Sequence, residues 1–242
     1  AIDFAQLSRD NHVDALILKN TLEYGIWDTE TLQSWAWDPQ IYSGLAGGAI
    51  YNLMAREFAP MPERLQSAVA RMERIPTILA QARENLDPAR VPATHARTVA
   101  AQNKGVLSLI ETFITPNADQ LQGEDRARLD AAVAGLRKAV DEHQAWLDGT
   151  LVPNAKGEFR IGAEKYDQKL KFALNSSLSR QDIRQRAEAE LTRIRDEMYV
   201  VAQAVLKDRE GAPETPAQPS EDQRQAAIEA AMEVAYADKP GR

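Results

Sequence analysis

Apolar residues recur along most of the chain at intervals of three and four, the period that puts successive side chains on one face of an α-helix. The first such segment runs from near Asp3 to the Trp35 region, with Val13, Leu16, Ile17, Tyr24 and Trp27 in step. Asp38-Pro39 reads as an N-cap followed by proline at the first helical position, where its missing N–H costs nothing. The helix it opens carries Tyr42, Leu45, Ala46, Ala49, Leu53 and Met54 on one face. Gly44, Gly47 and Gly48 inside it fit either a ligand loop or the close approach of a neighbouring helix, the second being the commoner use. Pro60-Met61-Pro62 ends that helix and starts a third, with Leu65, Val69, Met72, Ile75 and Leu79. Pro76 within this pattern predicts a kink or break just before it. A fourth helix runs from Pro92 to Thr115-Pro116 through Val99, Val106, Leu109, Ile110 and Phe113. The fifth carries Leu129, Val133, Leu136, Val140, His143 and Leu147, the stripe of a packed face.

Beyond it the pattern changes. Leu151 to Gly162 holds Pro153, Asn154, Gly157 and Gly162, which predicts a turn or a short hairpin around Lys156-Gly157. A short helix follows through Tyr166 and Leu170. Ser179 with Asp182 forms a capping box that opens a long helix with Ile183, Ala187, Leu191, Ile194, Met198, Val201 and Val205. Gly211 to Pro219, with prolines at 213, 216 and 219, reads as a linker. Ser220 and Gln223 then cap a last amphipathic segment with Ile228, Met232 and Val234. The expected architecture is all-α, an irregular bundle of about seven mostly long helices with one turn or hairpin near 151–162. The expected division is a helical domain over 1–210, a Pro-rich linker over 211–219 and a helical segment over 220–242.

Composition strengthens the helical reading. Of 242 residues 39 are alanine and only 6% are aromatic, and alanine is the residue least costly to fix in a helix. Twenty-nine basic against 36 acidic side chains leave a net charge of −7, and no basic stripe exists to neutralise phosphates, which argues against nucleic acid as a partner. The longest uncharged stretch, 39–55, falls short of the ~20 apolar residues that a membrane span requires. The chain opens at Ala1 rather than Met, so a mature or excised piece is expected.

Candidate chemistry is thin. There is no cysteine, which excludes disulfides, thiolate nucleophiles and Cys-ligated zinc. The three histidines, His12, His95 and His143, have no histidine partner one turn away, so the paired-histidine zinc motif is absent. No G-x-S-x-G elbow, P-loop or G-x-G-x-x-G run occurs. His143 follows Asp141 and Glu142 but occupies a core-facing step of its helix. Trp27, Trp35 and Trp37, with Tyr24 and Tyr42, gather at a helix corner, where an aromatic cluster is more often core than a ligand wall. The Arg160–Tyr166 stretch remains as a candidate contact surface: a turn presents a cation and a phenol together, suited to a carboxylate and a hydrogen-bond acceptor, although Arg160 could equally tie the turn to Glu158 or Glu164. From the residues alone, neither a catalytic, a metal-binding nor a cofactor-binding set can be assigned.

Several segments resemble a known family. LSRDNHVDALILKNTLEY (7–24), WAWDPQIY (35–42), RMERIPTILAQARENLDP (71–88), LVPNAKGEFRIGAEKYDQKL (151–170) and AELTRIRDEMYVVA (189–202) are similar, in this order, to the bacterial family called domain of unknown function 885, DUF885. The resemblance implies a helical fold like that of two-lobed, deep-cleft zinc-dependent peptidases, often exported or lipid-anchored. The family's H-E-x-x-P-G-H signature lies downstream of the matched segments, and this sequence stops before it. What the resemblance therefore implies is a non-catalytic N-terminal or inner lobe of a metallopeptidase. Zinc would be expected in the missing C-terminal part, and the partners would be the remainder of the polypeptide and a peptide substrate. Arg160 and Tyr166 would be the residues of this lobe that touch substrate. The alternative is a self-sufficient helical binding or scaffold protein without enzymatic activity.

Overall fold

The computed structural model describes residues 3–237. Every regular element among them is helical, as the periodicity predicts, and the one β feature is an isolated parallel bridge between Pro92 and Gly157. Two compact units divide the chain, one up to Phe172 and the other from Ala173. Helices α1 (Arg9–Trp27), α2 (Gln40–Met54), α3 (Met61–Met72), α4 (Ile75–Asn85), α5 (Ala93–Gln102), the short α6 (Gly105–Leu109), α7 (Gly123–Trp146) and most of α8 (Ala163–Leu174) lie in the first. Helices α9 (Arg180–Leu206) and α10 (Glu221–Ala237) form the second.

The local signals place most boundaries. Asp38 Oδ1 accepts from the Gln40 N–H at 3.1 Å and starts α2, and Pro62 and Pro76 fall in the first turns of α3 and α4. The break expected before Pro76 is therefore present. The capping box at Ser179 and Asp182 is complete, and Ser220 and Gln223 exchange the same pair of bonds at the start of α10.

Three segments differ from the expectation. The first helix does not reach Trp35: a π-helical turn over Asp28–Leu32 ends at Gln33, held at φ 54° in the left-handed region, before one more turn at Ser34–Trp37. The fourth helix breaks at Asn103-Lys104, and α6 then runs into a second π-helical turn, Ile110–Ile114. The hairpin at Lys156-Gly157 is not formed, because these residues bond instead to the distant 88–92 segment.

The main core lies among α2, α3, α4, α6 and α7. Ile50, Leu65, Val69, Met72, Ile75, Leu79, Ile110, Leu129, Leu136 and Val140 are buried there, and alanines 46, 68, 132 and 139 fill the closer approaches. A second cluster joins Tyr42, Ala82, Leu86, Val91, Ala96, Val99, Leu147 and Leu151. On α2 the buried positions are 42, 46, 50 and 54, so Leu45, expected inside, is exposed. In the second unit Tyr199, Ala202 and Leu206 of α9 pack on Ala227 and Ile228 of α10. The Pro-rich segment 211–219 lies within this unit, where the Tyr199 hydroxyl donates to the Pro216 carbonyl at 2.7 Å and Gln203 Nε2 to Thr215 at 3.1 Å.

One buried charge fixes the α2–α3 corner. Arg64, 4% exposed, donates from Nε to the Ala59 carbonyl at 3.0 Å and from Nη1 to the Met54 and Arg56 carbonyls at 3.2 and 2.8 Å. A cation here satisfies carbonyls left over at the C-terminal end of α2, where the helix dipole is negative. We expect Arg64→Met to lower unfolding stability by about 2–4 kcal/mol in urea, since it orphans three carbonyls, with Arg64→Lys intermediate.

Candidate functional site

The turn that carries Arg160 and Tyr166 is anchored by backbone rather than by side chains. A third π-helical turn, Leu147–Leu151, continues α7 and leads the chain back past residues 88–92. There Lys156 N–H donates to the Pro88 carbonyl at 3.2 Å and Gly157 N–H to the Val91 carbonyl at 2.9 Å. A Cβ at Gly157 would lie 1.9 Å from the Arg90 carbonyl oxygen, so only glycine lets the two backbones approach this closely. Gly162, at φ 84°, then redirects the chain into α8.

On this platform Arg160 is already engaged. Its N–H and its guanidinium both reach Glu158 Oε1, at 3.0 and 3.3 Å, and the guanidinium lies over the Phe159 ring, 4.3 Å from its centre. The Arg160 backbone N–H, followed by its charge, holds the Glu158 carboxyl below the usual range. Arg160 thus takes the local pairing with Glu158, while remaining exposed. Tyr166 is half exposed on α8, and no described residue hydrogen-bonds its phenol. The inner side of α8 makes the closer contacts. Phe172 packs edge-on against Tyr24 and tilted against Trp27, Trp27 Nε1 donates to Gln168, and Asn20 donates to the Phe172 carbonyl at 2.9 Å. Burial, then Asp28, raises the Tyr24 pKa. The tryptophans do not form one cluster: Trp27 joins α8, Trp37 stacks on His95, and the Trp35 carbonyl accepts from Tyr42 at 2.7 Å.

The histidines pack against aromatic rings, His12 on Phe4, His95 on Trp37 and His143 on Trp146. His143 is 3% exposed and stacked on Trp146 at 5.5 Å, with Nδ1 unpartnered. Burial, reinforced by the charge of Arg83, pushes its pKa down to about 4. His95 Nδ1 lies 3.8 Å from Asp38 Oδ1. Among the described residues no group of three or more His, Asp or Glu side chains is placed to hold a metal ion.

Two apolar surfaces are open. On α1, Leu18, Leu22 and Ile26 form a stripe one turn apart, with Leu22 59% exposed, and Val13, Leu16 and Ile17 are about half exposed on another side. In the second unit Ile194, Met198, Val201 and Val205 of α9 and Ala231, Met232 and Ala235 of α10 line a groove of about 390 Å³, with Val201 60% exposed. The α9 residues are the stripe that the sequence pattern assigns to the interior, whereas the buried side of α9 is Tyr199, Ala202 and Leu206. Soluble proteins rarely leave contiguous apolar patches uncovered. Neither surface was recognised as such from the sequence, because periodicity locates a face and not its partner.

Two expectations follow. Gly157→Ala should lower stability by roughly 1–3 kcal/mol, because the clash is with backbone. Gly135→Ala, mid-helix in α7 with no heavy atom within 4 Å of the added Cβ, should instead raise it by about 0.5–1 kcal/mol, and thermal melting of both reads the contrast. For His143 the neutral form is favoured by folding, so its contribution is complete above pH 6.5, its ordinary value, and is lost as pH falls toward 4. Urea unfolding across that range should show wild type losing on the order of 3 kcal/mol more than His143→Leu.

A search among curated proteins finds no match. Among solved structures, a protein titled a "putative lipoprotein of unknown function" from Shewanella oneidensis superposes with a TM-score of 0.77 at 26% identity. The match covers 100% of this chain and 43% of that one, so the chain spans less than half the length of this structural relative. The family model of the bacterial proteins of unknown function, DUF885, matches residues 1–239. A match over nearly the whole length shows the family: the chain belongs to the DUF885 family of bacterial proteins of unknown function.

Proposed function

We propose that this chain is a non-catalytic helical lobe of a longer bacterial protein, forming one wall of the substrate cleft of a zinc-dependent peptidase. The observation that carries the reading is the pair of uncovered apolar surfaces, on α1 and on α9–α10, where Leu22, Val201 and Met232 keep core-like helical spacing yet are exposed. Further polypeptide of the same protein is the partner they suit, and the greater length of the structural relative supports it. No helix among the described residues is long and apolar enough to cross a membrane. An exported or lipid-anchored protein is the localisation proposed, in keeping with the relative's description as a lipoprotein. In this reading zinc would be held by residues outside this chain, and no catalytic step is assigned to the residues within it.

The coding sequence beyond Arg242 tests the lobe directly. A reading frame that continues into an H-E-x-x-H-type or H-E-x-x-P-G-H segment supports it, and a stop codon immediately after Arg242 would favour the self-sufficient binding protein instead. Within the lobe, Arg160 and Tyr166 are the proposed substrate contacts. Breaking the exposed pair with Glu158 is a small cost, so Arg160 can be recruited by a substrate carboxylate. In the full-length protein, Arg160→Ala and Tyr166→Phe should each reduce kcat/KM for peptide hydrolysis by an amount equivalent to ~1–3 kcal/mol, without moving the melting temperature. Loss that tracks melting, or unchanged kinetics, would return both residues to a structural role.

A further inference from the structure

A cleft of about 360 Å³ opens in the first unit between α2, α4, α5, α6 and α7, well away in sequence from the turn described above. None of its twelve lining residues is charged. Its polar groups are Gln40, Ser43, Gln102 and Asn103, set among aliphatic side chains, and Gly44 and Gly47 of α2 form part of the wall.

The two glycines are the first clue. Glycine inside a helix costs roughly 0.5–1 kcal/mol relative to alanine, and tight packing is the usual reason to retain it. That reason is missing at Gly44 and weak at Gly47. A Cβ built at Gly44 meets no heavy atom within 4 Å, and one at Gly47 meets only Leu109 Cδ1, at 4.0 Å. The expected approach of a neighbouring helix is met only at Gly47, by the Leu109 side chain of α6, and not at Gly44, and the segment is not a loop. Gly44 is exposed and Gly47 half-buried, so the two missing side chains leave a recess beside α2 that is open to solvent.

Asn103 is the second clue, independent of the first. It sits at the break between α5 and α6 and is 6% exposed. Its Nδ2 donates to the Val140 carbonyl at 3.0 Å and to Gln144 Oε1 at 3.1 Å, and the backbone partner establishes which end of the amide is nitrogen. Gln144 is itself held, with Nε2 donating to the Ala100 carbonyl at 3.1 Å and to both Asp148 oxygens. The side chain is thus locked from behind. Its Oδ1 receives no hydrogen bond from any described residue, and since Asn103 lines the cleft this oxygen is an acceptor open to a ligand there. The Ser43 hydroxyl spends its proton on the Gln40 carbonyl at 3.0 Å, so it too offers an acceptor.

We propose that this cleft binds a small uncharged organic molecule with an apolar body and an N–H or O–H donor directed at Asn103 Oδ1. A charged ligand would lose its hydration with no counter-charge on the walls, which selects against it. At about 30 Å³ per small group, the volume suits a ligand on the order of a dozen non-hydrogen atoms. The site does not depend on the lobe reading, since every residue in it belongs to the first unit of this chain.

Three isosteric probes test it on the chain 1–242: 4-methylbenzamide, 4-methylacetophenone and 4-methylbenzoate, titrated while the Asn103 and Gln102 side-chain amide resonances are followed. The benzamide, neutral with a donor, should give saturable shifts. The ketone, neutral without a donor, should bind about three- to tenfold more weakly, as expected for one lost hydrogen bond, and the benzoate should give no saturable shift. Gly44→Leu, which fills the cleft from a position where no neighbour objects, should abolish the benzamide shifts while raising the melting temperature. Absence of saturable binding by all three probes, equal binding of amide and carboxylate, or undiminished binding in Gly44→Leu would each overturn the proposal. If Gly44→Leu fails to fold, Gly47→Ala, whose added methyl fits, should fold and weaken benzamide binding measurably, and unchanged affinity there would count against it.

Discussion

Arg64 places a full positive charge inside the corner between α2 and α3, and the described structure neutralises it with three carbonyl dipoles rather than with a carboxylate. A buried guanidinium is costly to desolvate, so the surrounding backbone has little freedom to rearrange without exposing an unmet donor. That constraint sets where α2 stops and α3 starts. Leu65, the next residue, and then Ala68, Val69 and Met72 enter the core from the same helix, facing Ile50 and Met54 on one side and the α7 stripe on the other. The main core of the first unit packs around that fixed corner, and the second cluster, with Tyr42, Leu86 and Leu151, adjoins it.

Much of this was legible in the primary structure where the signal is local. Proline positions, caps and the α7 stripe from Leu129 to Leu147 need only a few neighbouring residues to express themselves, and they fall where expected. The departures have long-range causes. On α9 the hydropathy pattern picks out Leu191, Ile194, Met198 and Val201, but the face that is buried carries Tyr199, Ala202 and Leu206, because α10 approaches from that side. Alanine explains part of the difficulty. Ala68, Ala82, Ala96, Ala202 and Ala227 are among the most completely buried residues, yet alanine is common on every face of these helices and carries little pattern information. The break at Asn103-Lys104 was within reach of a local reading, since polar residues lead there into Gly105, whereas the left-handed Gln33 has no sequence signal that we can identify.

The candidate sites divide in the same way. The cation and phenol at Arg160 and Tyr166 could be found from residue types, but not the prior engagement of Arg160 with Glu158 or the glycine contact that anchors their turn. Gly157 looks like any turn glycine until residues 88–92 are brought beside it. Gly44 and Gly47 stand together in the sequence, yet their meaning depends on what lies beside them in the fold. Asn103 carries no motif at all. Its interest comes from two hydrogen bonds to a helix roughly forty residues downstream, a relation that no window on the sequence contains.

The second unit starts each of its two helices with a reciprocal cap, Ser179 with Asp182 and Ser220 with Gln223, and joins them through a segment whose carbonyls accept from Tyr199 and Gln203 of α9. Its two helices meet over a chain separation of thirty residues, as between Arg195 and Gln225, a shorter loop to close than the larger unit requires. Nucleation does not have to wait for the larger unit to close its non-local contacts, such as the one between Val91 and Gly157. The consequence is one of timing: a helical hairpin with so short a loop to close has the lower entropic cost of assembly of the two units, and its apolar groove is formed by the hairpin alone.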